Sequence, residues 1–124
     1  MKISAFPKCY LDDICVYKRM TVFDWIEQSR SLGAEGLEMY SGFFESFDDA
    51  YIDKVGETIQ RAGYAMPMLC YSPNFTNPDP DERKREIEKQ AEMIRITRRL
   101  GGAGGSMPCF KWTSLSGSKH CPRC

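Results

Sequence analysis

The sequence predicts an α/β fold built from three successive β/α units, and two observations carry that prediction. Short apolar runs alternate with amphipathic stretches of helical period along the first hundred residues. Glycines that read as helix stops, Gly33, Gly63 and Gly101, recur at intervals of about 30–40 residues, as repeated strand–helix units require. Strands joined through helices in this way run parallel, with right-handed crossovers. Strands this short fit a closed barrel or a doubly wound sheet equally well, and periodicity alone does not choose between them. No GxGxxG or Walker pattern follows the first strand, which counts against a nucleotide-binding Rossmann unit.

The first strand is Lys2–Phe6, where Ile3, Ala5 and Phe6 make a short extended apolar run. A loop with Cys9, Asp12, Asp13 and Cys15 follows. Thr21 then caps a helix, with Asp24 three residues on in a capping-box arrangement. Val22, Phe23, Ile26 and Leu32 form its apolar stripe, and Gly33 closes it as a left-handed residue. The second strand lies within Ala34–Tyr40, followed by the aromatic loop Ser41-Gly42-Phe43-Phe44. A second helix begins at Asp48 or Asp49. Its Ile52, Val55, Ile59 and Ala62 share one face of a 3.6-residue period, and Gly63 ends it. Tyr64–Tyr71 is the third strand, weakened by Pro67, which has no N–H for a ladder. The loop from Ser72 to Pro78 leads to Asp79 as N-cap, Pro80 at the first helical position and Glu82 at the third. The third helix runs to about Leu100 and stops at Gly101-Gly102.

With 124 residues, 42% of them hydrophobic, the chain makes one globular domain. No apolar run of roughly 18 residues exists to span a membrane. The N-terminus has neither a long apolar core nor a small-residue cleavage site, so we expect no signal peptide and a cytoplasmic protein. Seventeen basic and seventeen acidic residues cancel, which argues against nucleic-acid and membrane partners. The balance is uneven along the chain. Residues 1–105 carry 14 basic and 17 acidic residues, whereas the last nineteen carry Lys111, Lys119 and Arg123 and no acid. Cys9, Cys15 and Cys70 are scattered singly, as thiols in a reducing compartment would be, while Cys109, Cys121 and Cys124 crowd the tail.

Three strings are distinctive beyond their periodicity. They are Phe23-Asp24-Trp25-Ile26-Glu27, Gly36-Leu37-Glu38-Met39-Tyr40-Ser41-Gly42-Phe43-Phe44, and the stretch from Met66-Pro67-Met68-Leu69-Cys70-Tyr71 through Ser72-Pro73-Asn74-Phe75 to Asp79-Pro80. Through them, residues 1–102 resemble the N-terminal part of sugar phosphate isomerase/epimerase proteins with xylose isomerase-like TIM barrels. The resemblance implies the first three β/α units of an incomplete (β/α)8 barrel. It implies further that the full-length family uses a divalent metal and a small sugar substrate. Carboxylates and a histidine at the ends of middle and later strands hold that metal, and a pair of glutamates moves a proton next to the sugar carbonyl. A complete barrel takes about 250 residues. The strands that bear those ligands are not in this sequence, so no metal ligand, cofactor or catalytic residue is assigned to this chain.

After Gly101-Gly102 the family continues with a fourth strand close to V-L-S-G-Q. Here the chain reads Met107-Pro108-Cys109-Phe110-Lys111-Trp112-Thr113-Ser114-Leu115-Ser116-Gly117-Ser118-Lys119. Permitted codons for that stretch, read one nucleotide over, encode C-R-V-L-S-G-Q-A-Y-P-E-V-S, a family-like strand and loop. A frameshift near residues 101–106 therefore explains the lost acids and the surge of cysteine. We expect residues 103–124 to be a non-family, disordered tail.

Glu38 would sit where the second strand approaches the barrel's active face, and a carboxylate between Leu37 and Met39 needs a partner or a task. Tyr71 and Asn74 in the loop after the third strand would hydrogen-bond sugar hydroxyls, and Phe75 would cover a ring. The bland readings are a salt bridge at the barrel mouth for Glu38 and a rigid proline loop for the others. Phe43 and Phe44 read as core cover rather than as a wall of the site. The run Asp81-Glu82-Arg83-Lys84-Arg85-Glu86 reads as a solvated helix face. His120-Cys121-Pro122-Arg123-Cys124 with Cys109 superficially resembles half a zinc ribbon, but a structural zinc site needs two paired knuckles. The expected function is thus a fragment of a metal-dependent sugar or sugar phosphate isomerase/epimerase, inactive as this chain. Two alternatives stand beside it. One is a small non-catalytic α/β module with a zinc-binding tail. The other is an abasic-site endonuclease of the same barrel superfamily, which the neutral balance disfavours.

Overall fold

Two of the three main helices begin at a side chain that caps them. The computed structural model describes residues 3–102. The expected tail, with its cysteines and His120, lies outside the described residues. Elements are β1 (Ser4–Ala5), α1 (Leu11–Cys15), α2 (Val22–Gln28), β2 (Gly36–Leu37), β3 (Met39–Tyr40), α3 (Asp49–Arg61), β4 (Leu69–Cys70) and α4 (Pro80–Arg99). At α2 the Thr21 backbone N–H donates to the Asp24 carboxylate at 2.8 Å, and the Asp24 N–H donates to the Thr21 hydroxyl at 3.2 Å. Two of the helix's orphan donors are satisfied in this reciprocal way. At α4 the Asp79 carboxylate accepts from the Asp81 N–H, with Pro80 in the first turn. Asp48 precedes α3 without such a bond.

Gly33, Gly63 and Gly101 all take positive φ, at 65°, 83° and 90°, as the left-handed ends of their helices demand. α1 is an element that the sequence reading leaves as loop. It is only five residues long, and the burial of Ile14 holds it in place.

The strands are parallel. β1 pairs with β2 in the register Ser4↔Gly36 and Ala5↔Leu37, and β3 pairs with β4 in the register Met39↔Leu69 and Tyr40↔Cys70. β2 and β3 are two halves of one central strand, interrupted at Glu38. Its N–H groups alternate sides: Leu37 donates to Ala65, Glu38 to Ala5 and Met39 to Met68. An isolated bridge joins Gly36 to Ala65. Between that bridge and the Met39↔Leu69 pair the outer strand holds one residue more than the central one. The extra residue falls around Pro67, the position that cannot donate. A local bulge accommodates the proline without ending the strand.

The core lies between this sheet and the helices. Leu37, Met39 and Leu69 from the strands meet Val22, Trp25 and Ile26 of α2, Ile52, Val55 and Ile59 of α3, and Met93, Ile96 and Leu100 of α4. Phe43 and Phe44 belong to this core, with Phe43 in ring contact with Phe6 and Tyr40. One expected core residue is not there. Leu32 is 56% exposed, because the last turn of the α2 region tightens to a 3-10 helix and turns it off the stripe.

α3 and α4 approach closely at Gly56, where a Cβ would lie 3.2 Å from the Arg99 carbonyl oxygen. Beside that contact Arg99 forks onto Asp49 and Asp53, at 2.6 and 2.8 Å, tying the two helices at the surface. The carboxylates hold the guanidinium more firmly protonated than usual, and Arg99 holds the Asp53 carboxyl below its ordinary range.

Candidate functional site

Side chains on a strand alternate between faces. Leu37 and Met39 are fully buried against the helices, so Glu38 between them points to the opposite face, the inner face of the sheet. There it accepts a 2.6 Å hydrogen bond from the Ser4 hydroxyl of β1. The interruption of the central strand at Glu38 falls at this contact. Ser4 is the partner that the sequence could not supply, since a lone serine in a short strand carries no signal of its own.

Tyr71 and Asn74 meet elsewhere. The Tyr71 phenol donates to the Glu86 carboxylate at 3.0 Å, and the Asn74 backbone N–H donates to the same carboxylate oxygen at 3.1 Å. The Asn74 side-chain oxygen accepts from the Thr76 hydroxyl. Glu86, on the second turn of α4, thus pins the loop after β4. Its side chain is only 18% exposed, and Lys89 stands 3.6 Å from it. Burial, and then the neighbouring carboxylate to which it donates, push the Tyr71 phenol up to about 12. Around these groups lies an open cleft of about 520 Å³, whose lining includes Tyr40, Ser41, Tyr71, Asn74, Glu86 and Lys89. Phe75 is 44% exposed, and neither it nor Glu38 lines the cleft.

The four candidate residues therefore fall into two groups, Glu38 alone on the inner face and Tyr71 with Asn74 over α4, with Phe75 outside both. Glu86 is the residue that sequence reasoning passed over as part of a solvated charge run. A signal was available. Glu86, Gln90, Met93, Thr97 and Leu100 follow one helical stripe, and its C-terminal half is the buried face of α4. Among the described residues no cluster of three or more His, Cys, Asp or Glu side chains is placed to hold a metal ion. Glu38 offers one carboxylate, already engaged by Ser4, so residues 3–102 do not by themselves fit a divalent cation. No helix among them is long and apolar enough to cross a membrane.

A family model described as a xylose isomerase-like TIM barrel matches residues 26–105. No curated protein matches the chain. Among solved structures it is similar to a D-psicose 3-epimerase determined in the presence of D-fructose, at 14% identity and a TM-score of 0.61. It is also similar to the D-psicose 3-epimerase of Clostridium cellulolyticum H10 with D-tagatose, at 21% identity and a TM-score of 0.62. At such identities the likeness is one of fold. Each match covers 82% of this chain and 35% of the other. The chain thus spans about a third of the length of these epimerases.

Proposed function

The chain belongs to the xylose isomerase-like TIM barrel family, and from that premise we propose that it is the opening arc of a sugar or sugar phosphate isomerase/epimerase. One observation carries the reading. Glu38 is a carboxylate held by Ser4 on the inner face of the sheet, the face that a closed barrel turns toward its lumen. In the closed ring Glu38 contacts a sugar hydroxyl, with Ser4 fixing its direction. Tyr71 and Asn74 shape the loop above the same end of the barrel through Glu86, and Phe75 remains available to cover a ring. The chemistry is proton removal from the carbon beside a sugar carbonyl and its return to a neighbouring atom or the opposite face. Any divalent cation that the assembled enzyme uses would take its ligands from outside residues 3–102.

The arc alone lacks an enclosed site and turns nothing over. A frameshift near residues 101–106 remains part of this reading, supported by the family-like C-R-V-L-S-G-Q string one nucleotide over. The test restores the shifted frame after Gly102, incubates the longer protein with ketoses and ketose phosphates in deuterated water, and follows deuterium entering next to the carbonyl. We expect incorporation with the longer protein, a loss of at least tenfold with Glu38→Gln, and none with the 124-residue chain. Turnover by the 124-residue chain itself, or deuterium exchange unaffected by Glu38→Gln, overturns the proposal. The even charge balance counts against the endonuclease reading.

A further inference from the structure

We infer that Asn74-Phe75-Thr76 is a short flap beside the cleft over α4, latched by the Glu86 carboxylate and tipped by Phe75. The two ends of the loop after β4 are held differently. At its C-terminal end the Arg83 guanidinium donates to the Asn77 and Pro78 carbonyls at 2.6 and 2.9 Å, and the Asn77 side-chain oxygen accepts from the Asp79 N–H. Those bonds run into the first turn of α4, where Asp79 caps the helix and Pro80 follows, so this end is fixed. Toward the other end, the Tyr71 phenol and the Asn74 N–H converge on one oxygen of Glu86. The Asn74 side chain bonds Thr76 inside the flap itself. Pro73 and Pro78 bracket the segment, and each restricts both its own φ and the residue before it. Backbone freedom therefore concentrates in residues 74–76, which are exposed. Phe75 is 44% exposed and is not among the apolar residues packed on the core.

A tie of this kind exchanges partners at little cost. Asn74 is exposed, so its N–H leaves the carboxylate for water or another acceptor without being orphaned. Glu86 is reachable in turn. It lines the cleft of about 520 Å³ together with Tyr40, Phe47, Tyr71 and Asn74. Its second oxygen faces the Lys89 ammonium at 3.6 Å, on a side chain that is 59% exposed and free to swing. A hydroxyl brought into the cleft is a donor of the same kind as the Tyr71 phenol, and it takes the place of Asn74 on the carboxylate. Asn74 is then released, and Phe75 turns its ring onto the apolar face of the molecule that displaced it. The ligand class this suits is a polyol with a C–H face. That occupant rests on the sugar reading above; the latch does not.

Native-state hydrogen exchange, read by NMR on the 124-residue chain, tests both parts. The reference is the Met39 N–H, which donates to Met68 in the buried ladder. We expect the Asn74 amide to exchange by local opening, insensitive to low urea and about tenfold or more faster than Met39. Glu86→Ala speeds Asn74 exchange about tenfold further and speeds chymotrypsin cleavage after Phe75, with Met39 unchanged. Arg83→Ala leaves Asn74 protected. Should Glu86→Ala loosen Met39 as well, Glu86→Gln carries the comparison, because it keeps an acceptor of weaker strength and still speeds Asn74 relative to Met39. Asn74 exchange that coincides with that of Met39, or that ignores both Glu86 variants, overturns the latch, even if a longer protein turns sugars over. For the occupant the probe is D-fructose, which is expected to speed Asn74 exchange and shift the Phe75 ring resonances, whereas betaine at the same concentration does neither. A latch that behaves as expected while D-fructose moves neither signal overturns the polyol assignment and with it the sugar reading of this cleft.

Discussion

At the scale of single residues, the Thr21–Asp24 pair states its own test. Thr21→Ala removes the cap acceptor and lowers stability by about 1 kcal/mol, read by urea unfolding at neutral pH. The Thr21 backbone N–H and hydroxyl hold the Asp24 carboxyl below its usual range. A depressed carboxyl stabilises the fold above its unfolded value and loses that contribution as pH falls through the folded one. The part of the Thr21→Ala difference that runs through the hydroxyl–carboxylate bond therefore shrinks on acidification, and a difference constant with pH would show that the hydroxyl does not act through Asp24. Tyr71 gives the opposite sign. Its phenol is raised from 10.0 to about 12, so stability from this group is intact below pH 10 and is lost as pH rises from 10 toward 12. Ultraviolet titration should show a late tyrosine that is absent in Tyr71→Phe and moved back toward 10 in Glu86→Gln, distinct from Tyr51, whose phenol is also raised by burial. These residues also mark the limit of reading the sequence. Thr21 with Asp24 was legible because both partners lie within one helical turn. Glu38 and Tyr71 were legible as candidates, but not their partners Ser4 and Glu86, which stand 34 and 15 residues away.

At the scale of elements, two glycines decide how closely strands and helices approach. A Cβ on Gly36 would meet the Ala65 carbonyl oxygen at 3.1 Å, and Pro67 and Ser4 at 3.3 Å each, from neighbours on both sides of the central strand. Gly36→Ala is therefore expected to destabilise by about 1–3 kcal/mol in chemical denaturation. At Gly56 two effects compete. Alanine raises helix propensity by about 1 kcal/mol, yet its Cβ would press on the backbone of Arg99 and Leu100 at 3.2 and 3.3 Å. Leu100 is fully buried, so α4 cannot easily yield, and overpacking of about 1–3 kcal/mol prevails. A measured rise in stability for Gly56→Ala would show that α4 moves freely. The Arg99 fork beside it is exposed on both sides, so Arg99→Ala costs less than about 1 kcal/mol, and less still at high salt. Element order, caps and glycine stops were readable from sequence. The bulge at Pro67 was readable only as a weakness, because a register depends on the facing strand.

For the molecule as a whole, a three-unit arc packs one face of its sheet against helices and leaves the other only partly covered, with apolar residues open at both flanks. We expect the isolated chain to be less stable than about 5 kcal/mol, at the bottom of the range for folded domains, and to bind 8-anilinonaphthalene-1-sulfonate. A steep denaturant transition extrapolating well above that value, with no dye binding, would show that the arc is a self-sufficient domain.

What the residue string determined by itself is local or cumulative. It set the alternation of strand and helix, the caps at Thr21 and Asp79, the left-handed stops, and the family strings around Glu38 and Tyr71, because these depend on neighbours within a turn or on composition summed over a segment. Tertiary structure alone decided that Glu38 faces Ser4 on the inner side of the sheet, that Glu86 turns from solvent to pin the loop after β4, and that Ile87, Ala91 and Ile94 form a second stripe on α4. Each of those outcomes requires knowing which distant segment lies alongside. Only the packed sheet and its helices bring those segments together.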